Sequence, residues 1–368
     1  MKATAGALLQ YLDECRDEAI VLAERLVAIE SPSLDPDTHP GAFAVLEGAL
    51  EDLDFARRFV TDTEGRRHLL ARPASRRRGR PHQLLLGHID TVWPVGTLAG
   101  MPLHRENNRL NGPGSYDMKV GLVQALYAVK ALHAVTGQPP VTPVFFVNSD
   151  EEIGSHGSRR YIETLARSAD RAFVMEPSLG SEGKLKTARK GVGRYILRIR
   201  GKAAHAGLDP GGGASAILEL SHQIQQLFAL NDPAAGVTVN VGVVDGGLQP
   251  NVIAPESSAQ IDVRVPTHDT ATRIDAAIRG LTPMTPGVSL KIEGRVGRPP
   301  MEPDEDSRRL WERATAAASA LGIPLEQGMA GGGSDGNFTS QFTPTLDGLG
   351  AVGDGAHAHH EHVPVSYT

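Results

Sequence analysis

Three short apolar runs end abruptly in side chains that bind protons or metals, and this feature constrains the fold more than any other. "QLLLGHID" (83–90) closes on His88 and Asp90, "VTPVFFVNSDEE" (141–152) on a run of acids, and "RAFVMEP" (171–177) on Glu176. Such runs read as strands buried on both faces. Between the first two lies "MKVGLVQALYAVKALHAV" (118–135), with apolar residues at helical spacing. The order β-α-β predicts an α/β domain with a mostly parallel central sheet, whose ligands bind beyond the carboxyl ends of the strands. All three exits here carry His, Asp or Glu. Adjacent Glu151 and Glu152 would repel each other there unless a cation lies near or one of them holds a proton.

The pattern changes after about residue 186. "GRYILRIRGKAAHAG", "VTVNVGVVDGG", "SSAQIDVRVP" and "SLKIEGRVG" read as strands, with helices at "ASAILELSHQIQQLFAL" and "DTATRIDAAIRGL". The order β-α-β-β-α-β is that of a ferredoxin-like α+β unit. It predicts a domain over 187–297 inserted into a discontinuous one, 1–186 and 298–368. A length of 368 residues suits two domains.

With 40% hydrophobic and 22% charged residues, the composition is that of a soluble globular protein. A net charge of −6 leaves no basic footprint for nucleic acid or an anionic membrane. The main exception, "RRRGR" (76–80), reads as a solvated loop. A single cysteine, Cys15, excludes an intrachain disulfide. The acidic N-terminus lacks the apolar core of a secretory signal, and no run of about 18 apolar residues occurs, so a cytoplasmic location is expected.

Metal sites need donors from several chain positions, and imidazole with carboxylate suits zinc. Candidates stand in "GHIDT", "GPGSYDMKVG", "SDEEIGS", "MEPS" and "GAHAHHEHV". Singly, each is as well explained as a cap or a solvated group. Together, with "GKAAHAG", "DVRVP" and "GGGSDGNF", they stand in the order and spacing of a known family. The chain resembles the M20 metallopeptidases, which include glutamate carboxypeptidase, acetylornithine deacetylase and succinyl-diaminopimelate desuccinylase, and is most similar to the glutamate carboxypeptidase branch.

The resemblance implies a dizinc exopeptidase-like catalytic domain with an inserted ferredoxin-like lid that also dimerises. His88 and Glu176 would hold one Zn2+, His357 and Glu152 the other, and Asp117 would bridge both; Co2+ or Mn2+ would also accept these ligands. In the family the peptide after this aspartate is cis. Glu151 would be the general base for a metal-bridging hydroxide, and Asp90 would orient His88 through its other ring nitrogen. Glu361 matches the family's acid four positions after the ligand histidine, while His359, His360 and His362 read as rim residues. His205 would stabilise the oxyanion in a partner's active site, making the chain a homodimer through the lid. Arg264 would clamp a substrate carboxylate, with Asn251, Lys190, Gly332 and Gly333 near it.

The implied activity is hydrolysis of a C-terminal peptide or N-acyl amide bond beside a free α-carboxylate. The alternatives are an acetylornithine-type deacylase or a dipeptidase. A catalytically silent metal- or ligand-binding relative is opposed by the presence of every ligand position and the base. A two-metal phosphoesterase would need basic groups near the metals, where the sequence has only scattered ones. Family members usually continue into a long C-terminal helix, whereas this chain stops at Thr368; an exposed apolar face on the α/β domain is the expected consequence.

Overall fold

A computed structural model describes residues 2–75 and 79–367. Arg76, Arg77 and Arg78 of the basic run lie outside the described residues. The chain forms two compact units: Met1–Thr187 with Pro303–Ala330 and Ser334–Thr368, and Ala188–Glu302 with Gly331–Gly333.

The first unit is built on a six-stranded sheet. Its order is Phe55–Thr61, Arg67–Pro73, Thr142–Asn148, His82–His88, Arg171–Val174, Thr345–Leu346. The last four strands pair in parallel, and the first two form an antiparallel edge. Successive side chains of a strand point to opposite faces, so each central strand feeds two cores. Leu85, Phe145 and Val147 pack with Leu26, Leu46 and Leu126 of the helices Arg16–Val27, His39–Glu51 and Val120–Thr136. Leu84, Leu86, Val144 and Phe146 pack with Ile162 and Phe338 on the other face.

The hairpin Phe55–Pro73 was not among the strands read from the sequence. Arginines at 57, 58, 67 and 72, half-buried or exposed, break its apolar pattern. Its turn was the available signal: Asp62 Oδ1 accepts the N–H groups of Glu64 (2.8 Å) and Arg66 (2.9 Å), and Gly65 has φ +86°.

The second unit has four antiparallel strands in the order Thr238–Gly246, Glu256–Val265, Gly191–Arg200, Ser289–Arg298. In chain order this is 2-3-1-4, a ferredoxin-like arrangement. The helices Ala216–Phe228 and His268–Arg279 bury Leu220, Leu227, Ile274 and Ile278 against Tyr195, Leu197 and Val263. The first strand ends at Arg200 instead of continuing through "GKAAHAG". Gly201, Ala203 and Ala204 have little side chain to pack on a sheet. Only isolated pairings, Lys202 with Ala214 and His205 with Val252, follow. No helix among the described residues is long and apolar enough to cross a membrane.

Candidate metal centre

His88 is the last residue of its strand and is 1% exposed. Its Nδ1–H donates to the backbone carbonyl of Asp90 at 2.9 Å, with Asp90 Oδ1 at 3.5 Å. That bond leaves the Nε2 lone pair for a ligand. Nε2 lies 3.4 Å from Asp117 Oδ1 and 3.8 Å from Glu176 Oε1. Across the site, His357 Nε2 lies 3.1 Å from Glu152 Oε2 and 3.5 Å from Asp117 Oδ2. Asp117 therefore turns one oxygen to each ring. The trios His88–Asp117–Glu176 and Asp117–Glu152–His357 each gather three donor atoms within 4.8 Å of one another.

These residues fit a pair of divalent cations. Asp117 Oδ1 is buried without a hydrogen-bond partner, which is costly unless a cation meets it. Donors about 2 Å from a common ion lie roughly 3–3.5 Å apart, close to the spacings here. All donors are nitrogen and oxygen, which suits zinc, cobalt or manganese.

The field favours positive charge between the acids. Burial pulls the His88 pKa down, but the carboxylates of Asp117 and Asp90 beside the ring outweigh it, and the pKa lies well above the ordinary value. Hydrogen bonding to Glu152 pushes His357 up to about 9. Asp90 stays ionised: burial would raise its pKa, but His88 and Ser33 bring it to about 2. A proton and a divalent cation compete for the same ring nitrogens.

Local structure holds each donor. Asp117 follows the left-handed Gly114 (φ 72°), and its peptide bond to Met118 is cis. Glu361, 1% exposed, accepts the N–H groups of Gly114 (3.0 Å), Tyr116 (2.9 Å) and Asp117 (3.0 Å), and the indole N–H of Trp93 (3.2 Å). Trp93 also contacts the ring of His359, 5.1 Å between centroids. Asp90 accepts from Ser33 Oγ at 2.7 Å and from the N–H groups of Glu151 and Glu152, each at 3.2 Å. Glu151 is half-buried, and its charge helps raise the His88 pKa. Nothing in the sequence pattern singles out Ser33 or Trp93. Nor does the pattern show Asp90 holding the two glutamates; these links join residues up to 268 positions apart.

In the second unit, His205 is exposed, and its Nδ1 accepts the N–H groups of Gly207 and Leu208, both at 3.1 Å. The ring proton therefore sits on Nε2, as a donor. Asn251 lies beside it, its carbonyl accepting Ala206 N–H at 3.0 Å. Arg264 is held by Asp262 through Nε (2.8 Å) and one Nη (3.1 Å). It pairs with Val192, two residues after Lys190. The buried Arg189 donates to the carbonyls of Gly332 (3.2 Å) and Gly333 (3.3 Å).

These residues fall at opposite ends of one sheet. Lys190, Arg264 and the Arg189-held glycines stand where strand Gly191–Arg200 begins, His205 and Asn251 beyond where it ends. Ten residues at about 3.3 Å each separate the two ends by roughly 30 Å.

The family model described as peptidase family M20/M25/M40 matches residues 84–367. Carboxypeptidase G2 of Pseudomonas sp. (strain RS-16) is 29% identical, over 96% of this chain and 86% of that protein. A succinyl-diaminopimelate desuccinylase of Paracidovorax citrulli is 28% identical, over 94% and 93%. Among solved structures, the M20 family metallo-carboxypeptidase Sso-CP2 from Sulfolobus solfataricus superposes with a TM-score of 0.73 at 17% identity, covering 95% of each chain. A tripeptidase from Staphylococcus aureus does so with 0.75 at 20% identity, covering 96% and 94%.

Proposed function

Since the chain belongs to peptidase family M20/M25/M40 and is thereby a metal-dependent hydrolase, we propose that it cleaves a C-terminal peptide or N-acyl amide bond next to a free α-carboxylate. The observation that carries the reading is the sharing of Asp117 between two donor trios, one of them holding Glu152, with Glu151 adjacent and outside both. His88 and Glu176 would hold one cation, His357 and Glu152 the other, and Asp117 both. When bound, the cations supply an acidified water and a Lewis acid for the amide carbonyl. Glu151 takes the proton of the attacking water and delivers it to the leaving amine. Asp90 keeps Glu151 and Glu152 in register through their amides. Arg264, oriented by Asp262, receives the α-carboxylate in the bidentate manner suited to a guanidinium, with Lys190 and the N–H groups near Gly332 and Gly333 adding positive potential. Neither the fold nor backbone conformation requires glycine at 332: a Cβ there would meet nothing within 4 Å and φ is ordinary. Close approach of a ligand is a reason for it.

His205, with its Nε2–H turned outward, would donate to the oxyanion of the tetrahedral intermediate. The roughly 30 Å between the two sheet ends supports its serving, with Asn251, the site of a second copy in a homodimer. The strand Thr238–Gly246 supports this too. It is a sheet edge, open to pairing, and Val243 and Val244 on it are more than half exposed.

The test is a release assay on N-acyl amino acids and dipeptides with added zinc, cobalt or manganese. At least one class is expected to turn over, and Glu151→Ala to lower kcat about 10²- to 10⁴-fold with two metal equivalents retained. Hydrolysis by Glu151→Ala at the wild-type rate would sink the reading.

A further inference from the structure

Beside the segment that carries the two glutamates lies a third cluster: Asp62, His68 and Asp150, all buried, with donor atoms within 4.8 Å of one another. His68 Nε2 and Asp62 Oδ2 face each other at 3.6 Å, and neither has a hydrogen-bond partner. A third cation is one reading of this trio, but the other ring nitrogen argues against it. Nδ1 accepts the N–H of Ser149 at 3.3 Å, so the ring proton is on Nε2. That nitrogen is a donor aimed at carboxylates, with no lone pair for a metal. Burial, which lowers the His68 pKa, agrees with a neutral ring.

The ring instead continues a sheet that has run out. Strand Arg67–Pro73 pairs with Thr142–Asn148 only at Ala71, Leu70 and Leu69. Past Leu69 the chain towards Glu151 has no ladder on that side, and the Ser149 N–H goes to the His68 ring while Ser149 Oγ donates to the Arg67 carbonyl at 3.0 Å. Three N–H groups of residues 149–152 are thus held by two side chains, one by His68 and two by Asp90. Asp150 is tied down by the N–H groups of Gly157 (2.8 Å) and Ser158 (3.1 Å). Asp62 closes against Gly157 so tightly that a Cβ there would lie 1.8 Å from its Oδ2. The rings of Phe146 and Tyr161 confine His68, with centroids 6.1 and 6.2 Å away.

We infer that His68 is a positioning residue for the paired glutamates, setting their placement through the Ser149 amide as Asp90 does through theirs. The inference rests on the reading of Glu151 as base and Glu152 as ligand. A base displaced by an ångström forfeits about two orders of magnitude in rate, whereas substrate binding, which uses other residues, is little changed.

Three variants test this, each assayed on the best substrate of the release panel with zinc and followed by amide hydrogen exchange over 148–158. His68→Phe keeps the ring and removes both nitrogens. It is expected to lower kcat about 10- to 100-fold, with KM within about twofold, two metal equivalents retained and faster exchange at 149–152. His68→Asn places an amide oxygen where Nδ1 was and is expected to restore most of kcat and the protection. His68→Gln, which reaches the Nε2 position instead, is not. A Phe variant within about threefold of wild-type kcat with unchanged exchange overturns the inference, as do Asn and Gln variants that behave alike. Should the Phe variant not fold, the Asn–Gln comparison carries the same decision. If the wild type hydrolyses nothing in the panel, the function reading fails, and exchange at 149–152 still decides for or against His68.

Discussion

Four N–H groups converge on the buried carboxylate of Glu361, three of them from the loop that presents Asp117. A charged acceptor suits this arrangement because each bond is charge-assisted. Glu361→Gln keeps the shape but turns an NH2 towards N–H donors, so the loop must shift. We expect cation affinity to fall about 10- to 100-fold, measured by chelator competition with zinc, with no effect on residues of the second unit. Unchanged affinity would mean that Asp117 is held without it. The motif "GAHAHHEHV" made this acid legible as a member of the site, but not what it holds. Asp90 teaches the same lesson. Its type and place at a strand exit were readable, yet the His88 ring bonds its backbone carbonyl while the carboxylate serves Ser33, Glu151 and Glu152. A sequence specifies which donors and acceptors exist; the choice among lone pairs is made by packing.

Elements were legible where burial is uniform. The strands ending at His88, Asn148 and Val174 are continuous apolar runs because both faces are covered. The hairpin Phe55–Pro73 buries Leu69, Leu70 and Ala71 but carries exposed arginines at 58, 67 and 72, and gives a mixed signal. In the second unit the elements alternate regularly, so their order was readable. What holds helix His268–Arg279 to strand Gly191–Arg200 was not, because part of it is polar. Tyr195 Oη donates to Asp275 Oδ1 at 2.7 Å, and Arg279 Nε donates to Oδ2 at 2.8 Å. Burial works to raise the Asp275 pKa, but the bonds from Arg279 and Tyr195 outweigh it and hold the carboxyl below its ordinary 3.8. A depressed carboxylate contributes stability above its unfolded pKa, and that contribution is lost as pH falls through the folded value. The side chain is 33% exposed, so screening limits the effect to about 1 kcal/mol. Asp275→Asn should therefore lower the unfolding temperature of the protein at pH 7, and the gap from wild type should narrow below about pH 4. A gap independent of pH would place the loss in packing rather than in charge.

At the scale of the molecule, the β-α-β-β-α-β order standing within the chain was the signal for a discontinuous organisation. The grouping of Gly331–Gly333 with the second unit was not readable; there the Arg189 side chain reaches carbonyls more than 140 positions away. The assembly can be tested by complementation. On the roles proposed above, Glu151→Ala removes the base and His205→Ala the oxyanion donor, and each variant alone should be nearly inactive. In a hybrid dimer, a donor acting across the interface leaves one of two sites with both lesions and the other with none. Random exchange at equal concentrations makes half the dimers hybrid, so mixing should restore about a quarter of wild-type activity. A donor acting within its own chain leaves every site with one lesion, and mixing would restore nothing. Recovery near a quarter, rising with incubation time at the rate of subunit exchange, is the expected outcome. A mixture no more active than its parts, although subunit exchange is verified by mass-labelled chains, would place His205 in its own subunit's site or outside any site.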